Sequence, residues 1–390
     1  MLDYIRVATA VPPVVVGDAV KNAADICNFI RTADAEGCDV VVFPELALTG
    51  YTCADLFFQH TLLRESMKGL EAIMACSKNH PGVTSVVGTP AVIEGQMYNC
   101  AAVISSGELK GLVTKTHLPN YGEFSERRWF SSSEDLLATS VTLRDLGIAG
   151  QGTVPVGRDL LFKVGDGCVL GVEICEDLLT PIAPSAMLSL SGANVIVNLS
   201  ASNELVGKDT AIKNLVLRQS GACTCVYAYC SAGYTESTSD LVFSGRSIIA
   251  ENGRMLQENT RMPDAGYMLV QDCDLGRGRN DRIKSTSFRA ASARFGNPEL
   301  YAESAEHLRA DGTLYPLRKL SFVPEDRLGM GLVGNMDITD NMMLRSYRKG
   351  KSLFLERKAP KNLAQKIIED LEVVTPGTSS PVRRLSGGNV

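Results

Sequence analysis

The chain has 390 residues, 45% of them apolar, and a formal net charge of -5. That is enough apolar material for a large buried core, and too acidic a balance for non-specific nucleic-acid binding, which needs a basic surface to displace counterions. Aromatic residues at 6% also leave little for a base-stacking platform.

The N-terminus, MLDYIRVATAVPPVVVGD, carries Asp3, Pro12 and Pro13. It lacks the basic start and unbroken apolar run of a signal peptide. No stretch reaches the roughly 18 apolar residues of a membrane span. The expectation is a cytoplasmic protein with no membrane and no nucleic-acid partner. Eleven scattered cysteines, without a secretory leader, read as reduced thiols that mostly fill the core. The closest pair, Cys223 and Cys225, has no second pair or suitably placed histidine, so no metal site is expected.

In chain order, Val20, Ala23, Ala24, Cys27 and Ile30 are spaced as on an amphipathic helix over 17–36. DVVVF (39–43) is a buried strand that stops at Pro44. Residues 62–79 read as a helix. TSVVGTP (84–90) and YNCAAVIS (98–105) read as strands joined at Glu94-Gly95, a hairpin signal. CVLGVEI (168–174), NVIVNLS (194–200), CTCVYAYC (223–230), RSIIA (246–250) and YMLVQDCD (267–274) read as further strands. Helices are expected after Pro181 and over 207–220. GRGRNDRIK reads as a basic loop, residues 320–390 show weak periodicity, and PGTSSPVRRLSGGNV reads as disordered. No internal repeat is visible. The pattern is α/β, with helices outside the strands.

Three strands end on a reactive side chain: Glu45 after Pro44, Lys115 in LVTKTH, and Cys175 in GVEICEDL. Ligands in open α/β sheets gather at the carboxyl ends of strands, so the three can converge. The types suit acyl transfer. A thiol attacks an amide as thiolate, a carboxylate moves its proton to the leaving amine, and an ammonium stabilises the anionic intermediate. A second acid, Glu123, is placed to orient the lysine or the base.

FPELALTGY, KTHLPNYGEFSERRWF and GVEICEDL resemble the Glu, Lys and Cys segments of the nitrilase superfamily. Cys-Glu-Asp after the strand, the long LPNYGEFSERRWF and GYTESTSDLVFSGRSIIAENG (233–253) are similar to the N-terminal glutaminase branch found in glutamine-dependent NAD synthetases. The resemblance covers about residues 3–285. It implies a four-layer α-β-β-α sandwich over 1–285 with an irregular C-terminal tail. It implies Glu45 as general base, Lys115 as oxyanion stabiliser and Cys175 as nucleophile. Tyr51, Phe124, Glu176, Ser200, Ser202 and Lys208 match glutamine-pocket positions, Lys208 standing near a position where relatives carry arginine.

In that family, ammonia passes to a synthetase domain that uses ATP and Mg to aminate deamido-NAD. No cofactor is expected in the domain present here. Residues 286–326 read as a linker towards such a domain, and 327–390 as an atypical, poorly ordered tail. The chain ends LSGGNV without the family's Asp-Ser, so a truncated or frameshifted product is expected. Gly350-Lys351-Ser352 is not a P-loop, because Arg345 stands where glycine is required. Glutamine as substrate and a homo-oligomer are what the resemblance implies. The alternatives are a free-standing ω-amidase or carbamoylase, and a non-catalytic scaffold.

Overall fold

A computed structural model describes residues 3–259, 262–263, 266–296, 336–343, 357–370 and 375–382. The chain divides into two compact units between Arg318 and Lys319. Most of the expected linker and the last eight residues lie outside the described residues.

The first unit runs β1 (Tyr4–Val11), α1 (Ala19–Ala35), β2 (Val40–Val42), α2 (His60–Ser77), β3 (Thr84–Ile93), β4 (Gln96–Ser105) and β5 (Glu108–Thr114). A small pair follows, β6 (Ser140–Thr142) and β7 (Thr153–Pro155). Then come β8 (Leu161–Val164), β9 (Cys168–Ile174), α3 (Pro184–Leu190), β10 (Val195–Ser200), α4 (Lys208–Cys223), β11 (Val226–Ser231) and β12 (Ser247–Glu251). β13 (Arg254–Glu258), β14 (Tyr267–Asp274), α5 (Leu275–Lys284) and α6 (Thr286–Phe295) complete it.

Two six-stranded sheets form, ordered β14-β1-β2-β3-β4-β5 and β13-β12-β11-β10-β9-β8. Strand alternation sorts the apolar side chains between layers. In the all-valine β2, Val41 packs with Ile26, Ile30 and Leu70 of the helices, whereas Val40 and Val42 join Val172, Val197 and Leu199 between the sheets. A third cluster seats Ile196 and Tyr227 against Leu188, Ile212 and Val216 of α3 and α4. The layering is therefore α-β-β-α, as expected.

A repeat invisible in the sequence is present in the topology. Read from β14, neighbouring strands pair antiparallel, parallel, parallel, antiparallel, antiparallel. Read from β8, the second sheet gives the same series.

Two sequence expectations are corrected. The buried stripe of α1 is Ala19, Ala23, Ile26, Cys27, Ile30 and Ala33, while Val20 and Ala24 are exposed. Asn22 shares that buried face because its amide is satisfied by the backbone of Val15 and Leu48. The segment GRGRNDRIK is the helix α5, not a loop. Asp274 caps it by accepting from the Arg277 N–H at 3.0 Å, and Arg282 anchors it on the carbonyls of Thr224 and Cys223. These tertiary contacts outweigh the weak helix propensity of its two glycines.

In the second unit, described residues form a helix Ile338–Met343 and a helix Lys358–Asp370. Ile338, Ala364 and Val382 make a small buried cluster there. Among the described residues no helix is long and apolar enough to cross a membrane.

The turn that carries Glu45 crosses directly over Gly88 of β3. A Cβ at Gly88 would lie 2.2 Å from Leu46 N and 2.5 Å from Pro44 O, and Leu48 N donates to Gly88 O at 3.0 Å. Those neighbours are backbone and cannot swing away. Gly88→Ala is expected to destabilise the protein by about 3 kcal/mol or more, at or beyond the upper end of ordinary overpacking. A urea midpoint close to that of the unaltered protein would contradict the crossing.

Candidate active site

The expected convergence occurs. Glu45 follows β2, Lys115 follows β5 and Cys175 follows β9. β5 is antiparallel to β4, which is antiparallel to β3, so β5 ends on the same side as β2. Lys115 Nζ donates to Glu45 Oε1 at 2.6 Å and to Glu126 Oε1 and Oε2 at 2.7 and 2.8 Å. The side chains of all three are shielded from solvent. Cys175 feels the charges of Glu45, Lys115 and Glu126, and the backbone of Ala201 supplies a hydrogen bond to its sulfur.

Cys175 has φ +46°, a left-handed conformation unusual for a residue with a Cβ. It opens a short 3-10 helix, Cys175–Leu179, at an abrupt strand-to-helix turn. All eleven cysteines are unpaired; ten are buried and Cys175 is partly exposed.

The electrostatics follow from burial. Removal from water disfavours the Lys115 charge, but Glu126 and Glu45 more than offset this and hold it protonated well above the ordinary range. Burial, against the pull of Lys115, raises Glu126 to about 7. Burial and then the charge of Glu45 push the Cys175 thiol up. The resting thiol is thus neutral.

The carbon-nitrogen hydrolase model matches residues 6–282. The chain belongs to the carbon-nitrogen hydrolase family. It is 37% identical over 287 residues to the glutamine-dependent NAD(+) synthetase of Mycobacterium leprae, covering 73% of this chain and 41% of that protein. This chain therefore spans about two fifths of such a relative. The solved glutamine-dependent NAD(+) synthetase of Cytophaga hutchinsonii superposes with TM-score 0.60 and 27% identity, covering 69% of this chain and 43% of that one. An amidase from Nesterenkonia sp. shares the fold, with TM-score 0.55, 18% identity, and 72% and 94% of the two chains covered.

Within this carbon-nitrogen hydrolase, Glu123 requires correction. It is exposed, and the carboxylate on Lys115 is Glu126, three residues later. Glu126 opens a 3-10 turn, Glu126–Arg128. The turn is anchored by Glu126 N to Pro119 O at 3.1 Å and by Phe130 against Phe57, ring centroids 5.0 Å apart. Arg128 grips Asp55 through two bonds of 2.7 Å. The cue lay in the aromatics beside the second acid, the partly buried Trp129 and the buried Phe130.

The other expected residues divide by depth. Tyr51 is buried and donates to Glu126 Oε1 at 2.8 Å, and its ring meets Phe124 and Phe243 edge-on. Ser200 is buried and donates to Asn198 Oδ1 at 2.7 Å. Ser202 is partly exposed; its N–H donates to Ser231 Oγ at 3.1 Å. Glu176 is partly exposed and accepts from Tyr121 Oη at 2.8 Å. Lys208, half-buried, donates to Asn203 Oδ1. Burial lowers its pKa, opposed by the charges of Cys175 and Glu176. Lys208 thus lies within electrostatic reach of Cys175 and Glu176, whereas Tyr51 and Ser200 are buried.

Two further acids, missed in the sequence, hold the site's backbone. Glu236 accepts from Tyr51 N at 2.7 Å and Thr52 N at 3.0 Å. Asp177 accepts from His117 N at 2.8 Å, Thr116 N at 3.2 Å and Ile174 N at 3.2 Å. It ties the turn of Cys175 to the loop of Lys115.

Burial, opposed by those N–H bonds, raises Asp177 to about 7 from the usual 3.8. The native state therefore holds a proton that the unfolded chain has lost between roughly pH 4 and 7. That contribution to stability is complete below about pH 4 and disappears as pH rises through 7. Glu126, raised to about 7, acts with the same sign. Stability in urea is expected to fall as pH rises from 5 to 8. The slope from Asp177 is at most about 1.4 kcal/mol per pH unit, and Asp177→Asn should flatten it. A slope unaltered in that variant would refute the assignment.

Proposed function

We propose that this chain hydrolyses glutamine to glutamate and ammonia through a Cys175 thioester. The observation that carries this is a thiol at the edge of a buried Glu45–Lys115–Glu126 cluster, with Lys208 in electrostatic reach of it. The named relatives support glutamine as the amide donor.

The thiol proton passes to Glu45 as Cys175 Sγ bonds to the amide carbon. The carbonyl electron pair moves onto oxygen, where Lys115 Nζ stabilises it. Glu45 returns the proton to the amide nitrogen, the C–N bond breaks, ammonia leaves and the thioester remains. Water then attacks the thioester, with Glu45 taking its proton. The C–S bond breaks, the thiol is restored and glutamate departs. Glu126 keeps Lys115 charged and aligned through the cycle. Lys208 receives the glutamine carboxylate as a point charge, without the bidentate fork an arginine would offer. Glu176 and Ser202 line the same side.

The ammonia serves amination of deamido-NAD by a synthetase module that uses ATP and Mg, with this region working in a cytoplasmic homo-oligomer. No cofactor enters the hydrolytic steps as written.

Cys175→Ala is expected to abolish glutamine hydrolysis with the thermal transition retained. Glu45→Gln should cost about 10²–10⁴-fold, because both proton transfers fail. Glu126→Gln should lower kcat by about tenfold or more, equivalent to ~1.4 kcal/mol of transition-state stabilisation, while Glu123→Gln stays near the unaltered protein. Ammonia release, assayed with glutamine, ω-amides and N-carbamoyl compounds, checks all of these. Faster turnover of either of the latter two classes would overturn the substrate.

A further inference from the structure

Glu45 is the only cluster member with an oxygen left over. Its Oε1 accepts from Lys115 Nζ at 2.6 Å and Asn99 Nδ2 at 2.7 Å. Its Oε2 is buried and has no hydrogen-bond partner among the described residues. A buried acceptor left empty is unusual enough to require a reason.

Asn99 is fully buried on β4 and held in register opposite Pro90 of β3. Its backbone carbonyl accepts from Lys115 N at 2.9 Å, while its side-chain Oδ1, like Glu45 Oε2, is buried with no partner among the described residues. One residue thus fixes the lysine's backbone and grips the carboxylate that the lysine's side chain also grips. The amide nitrogen must be the group facing Glu45, since a carboxylate offers no proton at that contact.

We propose that Asn99 is a positioning residue that divides the two oxygens of Glu45: Oε1 is anchored, and Oε2 is the atom that takes the Cys175 proton. This rests on the amide-hydrolysis reading of Cys175. The other titratable groups facing Glu45 are already committed. Lys115 is on Oε1, and Glu126 holds Lys115 and Tyr51 Oη. Tyr51 is on Glu126, and Glu236 is on the backbone of Tyr51 and Thr52. Among the titratable groups, the thiol of Cys175 is the one left in electrostatic reach of Glu45.

The test uses Asn99→Asp, which keeps the shape but replaces the donor with an acceptor, and Asn99→Leu, which removes the donor. Two readouts are taken across pH in the full chain: alkylation of Cys175 by iodoacetamide, and glutamine kcat and KM. In Asn99→Asp the acidic limb of both profiles should move up by about one pH unit or more. In both variants kcat should fall about ten- to hundredfold, the loss of one charge-assisted hydrogen bond, with KM within about twofold because Asn99 does not touch substrate. A merely structural role would lower the folded fraction and leave the limb in place, so profiles that superimpose after normalisation to folded protein overturn the proposal. If Asn99→Leu does not fold, Asn99→Asp alone decides. If the unaltered chain does not hydrolyse glutamine but the alkylation limb still moves, the oxygen assignment stands and the substrate reading falls. Glutamine turnover with an unmoved limb sinks the oxygen assignment alone.

Discussion

The architecture of the site depends on one burial problem, the ammonium of Lys115 placed out of reach of water. A buried charge is tolerated only when it is paired and its protons are satisfied. Glu45 and Glu126 do this with three contacts of 2.6–2.8 Å. Removing one partner of such a buried pair typically costs about 3–5 kcal/mol. The cluster therefore constrains the loops that bring it together as much as it equips them for chemistry.

Each member is held by something further out. Asn99 grips Glu45 and the lysine backbone. Tyr51 grips Glu126, and Glu236 grips the backbone at Tyr51 and Thr52. Asp177 does for the turn of Cys175 what Glu236 does for Tyr51, using a carboxylate to collect backbone N–H groups that a sharp bend leaves unpaired. The neutral thiol of Cys175 thus sits in the field of a cluster whose partners are already fixed by packing.

The two sheets repeat one pairing series, yet their strand ends do not carry equivalent chemistry. Glu45 ends the strand β2, whose topological counterpart is β10. Cys175 ends β9, whose counterpart is β1. Only the packing of sheet on sheet, through Val40, Val42, Val172 and Leu199, makes those ends neighbours.

Much of this was open to reading along the chain. Strand ends, the hairpin at Glu94-Gly95 and the chemical types of Glu45, Lys115 and Cys175 are local matters, set by side-chain alternation and by residues that stop a strand. The layered fold and the family resemblance follow from them. What the chain alone did not decide was pairing at a distance. Glu123 and Glu126 look alike in sequence, and only the anchoring of Phe130 on Phe57 and of Tyr51 on Glu126 turns the second acid inward. GRGRNDRIK has a loop's composition, and contacts from Arg282 to distant carbonyls make it a helix. Asp177, Glu236 and Asn99 are ordinary polar letters until folding withdraws water and leaves each with one set of partners. Types and local geometry belong to the sequence, whereas which charge meets which depends on burial, and burial is a property of the packed chain.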